Sequence, residues 1–138
     1  MASLRTTLSG YARYRGREGH YSFLLHRLTG LGTLLFLILH IIDMAAFYWN
    51  PAFFEDALAL YRTPPFMIGE IALVFAVLFH GANGLRIAFV DLFAPRQWAV
   101  ELQRRAVRWT LLVTLILWLP AAAVMAYRMF NPEFSFFG

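Results

Sequence analysis

The chain has 138 residues, of which 60% are hydrophobic and only 14% charged, whereas soluble domains are about 25% charged. Twelve basic residues, all arginine, against eight acidic ones give a net charge of +4. Because these arginines flank apolar runs, the excess predicts membrane topology rather than binding to nucleic acid. The absence of cysteine excludes disulfides, thiolate chemistry and cysteine-ligated iron–sulfur clusters on this chain. The length accommodates one membrane domain, residues 1–138, without a soluble catalytic domain.

Three apolar runs are long enough to cross a bilayer, which takes about 18 or more residues. They cover residues 28–48, 66–93 and 109–127. The connection between the first two runs begins and ends with helix-breaking residues, and its middle predicts a short interfacial helix. The fold class is therefore predicted to be an all-α membrane protein with three transmembrane helices in the lipid bilayer.

The distribution of arginine predicts the orientation of these helices. Five arginines precede the first span and four lie in the second connection, whereas the first connection and the C-terminal tail hold one each. Basic residues are in excess on the cytoplasmic side of membrane proteins. We therefore expect a cytoplasmic N-terminus and a C-terminus on the outside.

The second span carries polar residues on one face of its helix. His80, Asn83, Gly84, Ile87 and Asp91 recur at a spacing that places them on the same side. Gly84 removes a side chain one turn from the imidazole of His80. An imidazole beside such a gap is what a haem requires, because a ring nitrogen ligates the iron and the macrocycle needs a smooth wall. The other ring nitrogen must donate a hydrogen bond that fixes the tautomer, often to a backbone carbonyl or a water.

The first span shows a similar stripe, formed by His26, Gly30, Thr33, Leu37 and His40. At about 1.5 Å per residue, His40 lies roughly 20 Å from Arg27, and His80 lies about 16 Å from Asp91. His40 is therefore nearer the outer surface than His80. A polar residue in a membrane helix also serves as a contact between helices. That interpretation is the alternative for both His40 and His80.

The segments "HRLTG" at 26–30 and "HGANGLRIAFVD" at 80–91 together resemble the two signatures of the cytochrome b subunit of succinate dehydrogenase. That family has S-x-x-H-R-x-[ST]-G opening its first helix and H-x-x-x-G-[apolar]-R-[HF]-x-x-x-D in its second. The residues that match are His26, Arg27, Thr29 and Gly30 in the first motif and His80, Gly84, Arg86 and Asp91 in the second. The resemblance covers the whole chain, including its length, its three spans and its orientation.

The chain departs from the family pattern at two positions. Phe23 stands three residues before His26, where the family has serine, and Ser22 lies one residue earlier. Ile87 follows Arg86, where the family usually has an aromatic residue or histidine. The second departure removes a polar group near the inner edge of the haem.

The resemblance implies a four-subunit complex in a bacterial cytoplasmic membrane. A flavoprotein oxidises succinate at FAD, and an iron–sulfur subunit passes the electrons toward the membrane. This chain and a second three-helix anchor subunit bind haem b and form the site of the substrate quinone. Flavin and iron–sulfur clusters belong to the partner subunits. The resemblance leaves open whether the quinone is ubiquinone or menaquinone, and whether complexes associate further.

The resemblance also implies roles for residues around the haem. His80 is the implied axial ligand of the iron, with a histidine of the partner anchor opposite. Arg27, His26 and Arg86 are implied near the haem propionates, and Gly84 is the clearance for the macrocycle.

The implied quinone region includes Arg27, Ser22 and Asp91. A cation at Arg27 suits quinone reduction, which builds negative charge before protons arrive. Asp91 is implied either as the ion-pair partner of Arg86 or as a proton-entry group.

His40 separates two versions of the haem site. We favour one haem between His80 and the partner anchor, with His40 contacting a neighbouring helix or the haem edge. The alternative has two haems stacked across the membrane, with His40 ligating the outer one. Both axial ligands from this chain are disfavoured by the difference in depth between His40 and His80.

Two other functions compete with this one. A quinol:fumarate reductase has the same architecture and runs in reverse. From a different class, the chain would be a haem-free scaffold or a small transporter with a polar path, although three helices without a repeat are few for alternating access.

Overall fold

The computed structural model describes residues 18–93 and 100–131. Side chains are described from residue 19 onward in the first range and from residue 102 onward in the second. The arginines before residue 18 and Arg96, which contribute to the orientation argument, lie outside the described residues.

The described residues form four helices: α1 (Glu18–Trp49), α2 (Pro51–Tyr61), α3 (Pro64–Phe93) and α4 (Val100–Phe130). Three segments are long and apolar enough to cross a membrane, namely Gly19–Trp49, Pro64–Phe93 and Leu102–Phe130. The predicted all-α membrane fold with three spanning helices is thereby confirmed.

Two of the helices extend beyond the predicted spans. The first begins at Glu18 rather than at residue 28, and the last begins at Val100 rather than at residue 109. Hydropathy detects only the part of a helix that is apolar enough for lipid. Glutamate, glutamine and arginine are good helix formers, so these helices continue through polar sequence.

The short helix α2 forms where the connection predicts it. The side chain of Asn50 accepts a hydrogen bond from the backbone N–H of Phe53 at 3.3 Å, which caps the helix. Pro51 occupies the first helical position, where its missing N–H costs nothing. At the other end, Tyr61 donates a hydrogen bond from its hydroxyl to the carboxylate of Asp43 on α1.

Helix α3 packs against both α1 and α4. The buried apolar residues among those described are Ala76, Phe79, Val90 and Val107, and the buried polar ones are Ser22, Thr29, Asn83, Thr110 and Thr114. Small and polar residues are typical of helix contacts inside membranes, where they allow close approach and hydrogen bonding. The indole N–H of Trp118 on α4 donates to the carbonyl of Ile71 on α3 at 2.9 Å. The bundle is therefore held by close polar packing rather than by a large apolar core.

The polar stripe predicted on α1 is packed along only part of its length. His26, Gly30 and Thr33 are half-buried. Farther along, Leu37 and His40 are exposed, and the ring of His40 stacks on Phe36 at 5.4 Å. The half of the stripe that begins at His26 meets the other helices, whereas the outer half faces away from them.

Candidate functional site

Two imidazole rings stack between α1 and α3. The ring centroids of His26 and His80 are 4.1 Å apart and the ring planes differ by 3°. Each histidine is followed four residues later by a glycine that faces the other histidine. A Cβ at Gly30 would lie 2.8 Å from Cε1 of His80, and a Cβ at Gly84 would lie 3.7 Å from Cε1 of His26. The two helices therefore approach closely through a reciprocal histidine-on-glycine contact.

The hydrogen bond of His80 determines which of its ring nitrogens is protonated. Its Nδ1 lies 3.1 Å from the backbone carbonyl oxygen of His26. Because a carbonyl only accepts, Nδ1 carries the proton and donates it to this oxygen. The lone pair is then on Nε2, which makes no hydrogen bond to the described residues. This arrangement suits a metal ligand, since ligating histidines commonly donate their other N–H to a backbone carbonyl.

His26 differs from its neighbour in its hydrogen bonding. Its Nδ1 is enclosed and finds no hydrogen-bond partner among the described residues. Buried polar atoms are rarely left unpaired in native proteins, so such an atom indicates a water or a ligand group. The ring also lines a cavity between the helices. Nδ1 of His26 is therefore an unpaired nitrogen within the stacked pair of imidazoles.

A chain of hydrogen bonds joins the three long helices beside the histidines. The hydroxyl of Ser22 on α1 donates to the side-chain oxygen of Asn83 on α3 at 3.3 Å. The Nε of Arg86 donates to the same oxygen at 3.1 Å, and its Nη1 donates to the side-chain oxygen of Gln103 on α4 at 2.6 Å. The guanidinium is thus oriented by two neutral amides.

These side chains surround a cavity of about 190 Å³. Its lining residues come from three helices: Gly19, Ser22, Phe23, His26, Asn83, Arg86, Ile87, Val90 and Gln103. Pockets that hold a whole small molecule usually measure about 300–1,000 Å³. The cavity therefore has room for only part of a larger ligand.

The remaining predicted site residues lie outside the cavity. Arg27 is exposed, and its guanidinium carbon lies 5.4 Å from the centroid of the Phe23 ring. Asp91 is exposed on α3. Arg86 contacts Asn83 and Gln103 rather than Asp91, so the expected ion pair with Asp91 is replaced by contacts with two amides.

Each glycine of the two motifs faces the histidine of the other helix. Gly84 faces His26, and Gly30 is the glycine that the ring of His80 requires. The role of Gly84 beside a macrocycle stays a prediction. The sequence pattern places Gly30 and Asn83 on polar faces without predicting a contact for either residue, and it does not indicate Gln103. The repeated spacing His-x-x-x-Gly in "HRLTG" and "HGANG" is the signal that would have indicated the reciprocal contact.

The donor set limits how a metal would be held. Within residues 18–93 and 100–131, no three histidine, aspartate or glutamate side chains are grouped as metal ligands. An iron bound to Nε2 of His80 would therefore need further ligands from a macrocycle. Such a donor set suits a haem, because the porphyrin supplies the equatorial ligands.

Comparison with known proteins places this geometry in context. The family model described as "Succinate dehydrogenase/Fumarate reductase transmembrane subunit" matches residues 4–125. The "Succinate dehydrogenase 2 membrane subunit SdhC" of Mycobacterium tuberculosis, strain H37Rv, is 35% identical over 121 residues. That match covers 86% of this chain and 85% of the mycobacterial protein.

Proposed function

The chain belongs to the succinate dehydrogenase/fumarate reductase transmembrane subunit family, and we propose that it binds haem b and one end of a quinone in a complex of this kind. A flavoprotein and an iron–sulfur subunit deliver electrons from succinate, and a second anchor subunit completes the membrane part. The N-terminus faces the cytoplasm of a bacterium and the chain lies in the cytoplasmic membrane. The arginine distribution supports this orientation.

The hydrogen bond from Nδ1 of His80 to the carbonyl of His26 carries the haem proposal. This hydrogen bond leaves Nε2 of His80 with the lone pair that an iron requires. The absence of a side chain at Gly30 leaves room for the imidazole of His80. When bound, the haem supplies a one-electron carrier whose potential depends on its axial ligands and surrounding charge. His26, Arg27 and Arg86 are the residues that would meet its propionates.

Replacing His80 tests ligation directly. In the purified complex, we expect His80→Ala to abolish or strongly reduce the b-type band in the reduced-minus-oxidised spectrum, because the iron loses an axial nitrogen. His40→Ala is the matched control, since it removes an exposed imidazole from the same chain. An unchanged b-type band in His80→Ala would overturn ligation by His80, and the absence of such a band from the wild-type complex would favour a haem-free scaffold.

The number of haems is tested with the second histidine. His40 is exposed and stacks on Phe36 of its own helix rather than on another helix. We propose that a single haem is bound. Haem per complex, measured chemically on wild type and His40→Ala, should be one in both. The loss of one of two haems in His40→Ala would instead support the two-haem arrangement.

The quinone proposal is supported by the cavity and by its charge. Ser22 and Arg86 lie on its wall, and a cation at this position stabilises the negative charge that develops on a quinone oxygen during reduction. Arg27 lies outside the cavity on the exposed face of α1. It would approach the same ligand, or a propionate, from the side of the partner subunits.

Arg27→Ala is expected to lower quinone reductase activity about tenfold or more, because one stabilising charge is removed from the quinone region. Succinate oxidation by a soluble artificial acceptor should persist, since that reaction needs only the flavoprotein and the iron–sulfur subunit. Equal loss of both activities would argue against a quinone role and for a defect in assembly.

The same architecture serves fumarate reduction, and the family description names both enzymes. We propose the succinate-oxidising direction, which the name of the mycobacterial relative favours. Comparing the rates of the purified complex with succinate plus quinone and with fumarate plus quinol would decide between the two directions.

A further inference from the structure

Asn83 lies at the centre of the contact between the three long helices, with 1% of its surface exposed. Its side-chain oxygen accepts hydrogen bonds from the hydroxyl of Ser22 and from Nε of Arg86. A buried amide is unfavourable unless its polar atoms are paired. Here one oxygen joins two polar groups of the cavity wall, each from a different helix.

The charge of Arg86 is not neutralised by a neighbouring carboxylate. Its hydrogen bonds go to the neutral amides of Asn83 and Gln103, and no acidic side chain of the described residues contacts it. A half-buried guanidinium is usually paired with an anion. Its Nη2 makes no hydrogen bond to the described residues and is not enclosed. The cavity wall therefore keeps an oriented cation with an unused donor.

We infer that Asn83 is a positioning residue, which orients Arg86 toward an oxygen that carries or develops negative charge and Ser22 toward a protonated group in the same cavity. The inference rests on the proposed function, in which this oxygen belongs to a quinone head group or to a haem propionate. Because Ser22 donates its proton to Asn83, the lone pairs of its oxygen remain for a protonated group in the cavity. For a ligand in the cavity, Arg86 supplies a hydrogen-bond donor and Ser22 supplies an acceptor. Asn83 fixes the position of both side chains.

The test uses the complete complex carrying Asn83→Leu or Asn83→Asp. Leucine is similar in size and removes the acceptor, whereas aspartate keeps an oxygen in the same place. If the oxygen is that of quinone, Asn83→Leu should raise the KM for quinone about tenfold, the effect of misplacing a charged hydrogen-bond donor. If it is a propionate oxygen, Asn83→Leu should lower the midpoint potential of the haem, measured by spectroscopic redox titration. Asn83→Asp should restore neither quantity, because its carboxylate keeps the acceptor but neutralises the charge of Arg86.

Thr114→Val is the matched control. Thr114 is also 1% exposed, and its hydroxyl donates to the carbonyl of Thr110 at 2.8 Å, but it does not line the cavity. Valine keeps the shape and removes the buried hydroxyl. Both the KM for quinone and the haem potential should stay close to wild type in this variant.

A double-mutant comparison separates positioning from a general packing defect. If Asn83 acts through Arg86, adding Asn83→Leu to Arg86→Gln should change the affected quantity by less than about twofold. Should Asn83→Leu fail to assemble, Asn83→Ala in both backgrounds gives the same comparison.

The outcomes distinguish this inference from the function on which it rests. No change in either quantity for Asn83→Leu, fully additive effects with Arg86→Gln, or wild-type values in Asn83→Asp would each overturn the inference. If Arg86→Gln itself changes neither quantity, the proposed role of the cavity fails as well.

Discussion

Gly30 and Gly84 occupy equivalent places in the two helices but meet different steric demands. A methyl group at Gly30 would lie 2.8 Å from the ring of His80, which is closer than real carbon contacts allow. A methyl group at Gly84 would lie 3.7 Å from the ring of His26, an ordinary contact. Close approach of a ring, rather than backbone conformation, is therefore the reason for glycine at residue 30.

Gly30→Ala is expected to displace the imidazole of His80 and to reduce haem content or shift the b-type band. Overpacking of this kind costs about 1–3 kcal/mol. Gly84→Ala is the matched control and should keep the wild-type spectrum, with a stability equal to or above wild type because alanine favours the helix by about 1 kcal/mol. The haem-to-protein ratio and the thermal midpoint check both statements. Equal haem loss in the two variants would contradict the geometry.

Helix α2 is attached to α1 by one polar contact and one aromatic contact. Tyr61 donates to the carboxylate of Asp43, and the rings of Phe47 and Phe54 meet edge to face at 5.2 Å. The hydrogen bond to Asp43 raises the pKa of Tyr61 from its ordinary value of 10.0 to about 12. Since the protonated phenol is the donor, this contact stabilises the attachment while Tyr61 remains neutral.

The pH dependence of this contact follows from the raised pKa. Its contribution is complete below about pH 10, where the unfolded chain still holds the phenol proton. It is lost as the pH rises from about 10 to about 12. The tyrosinate absorbance of wild type minus that of Tyr61→Phe should titrate near pH 12, and a midpoint near 10 would show that the hydrogen bond is absent. Tyr61→Phe should also increase amide hydrogen exchange across residues 51–61 at neutral pH.

In the described part of the molecule, most of the apolar surface faces away from the other helices of the chain. In the most apolar 18-residue segment of α1 no residue is buried, and in that of α3 only 6% are buried. Such surfaces are stable when lipid or another membrane helix covers them. Lipid or helices of other subunits would therefore cover these surfaces.

The orientation of the bundle can be tested because the chain lacks cysteine. Asp56 on α2 and Arg105 near the start of α4 are both exposed and lie on opposite sides of the membrane in the proposed orientation. In intact spheroplasts, a membrane-impermeant maleimide should label this subunit in Asp56→Cys and leave it unlabelled in Arg105→Cys. After lysis, both should be labelled. The reverse pattern in intact cells would invert the topology.

The elements of the fold are predictable from the sequence because their causes are local. Long apolar runs predict the three spans, and Asn50 with Pro51 marks the start of the short helix. Hydropathy does not predict where a helix starts outside the lipid, and α1 and α4 extend beyond the apolar runs through polar residues that favour helix. The position and spacing of His80 mark it as a candidate in the sequence, whereas the hydrogen bond to His26 that supports its proposed role is a contact between two helices.

The sequence by itself determined the membrane fold, its three spans and the faces on which polar residues collect. Only the tertiary structure decided which faces meet. Spacing along one helix shows which residues share a side, but the rotation of one helix against another depends on packing between them. That packing brought His26 onto His80, made Gly30 the glycine beside the ring, and gave Arg86 two amides instead of Asp91.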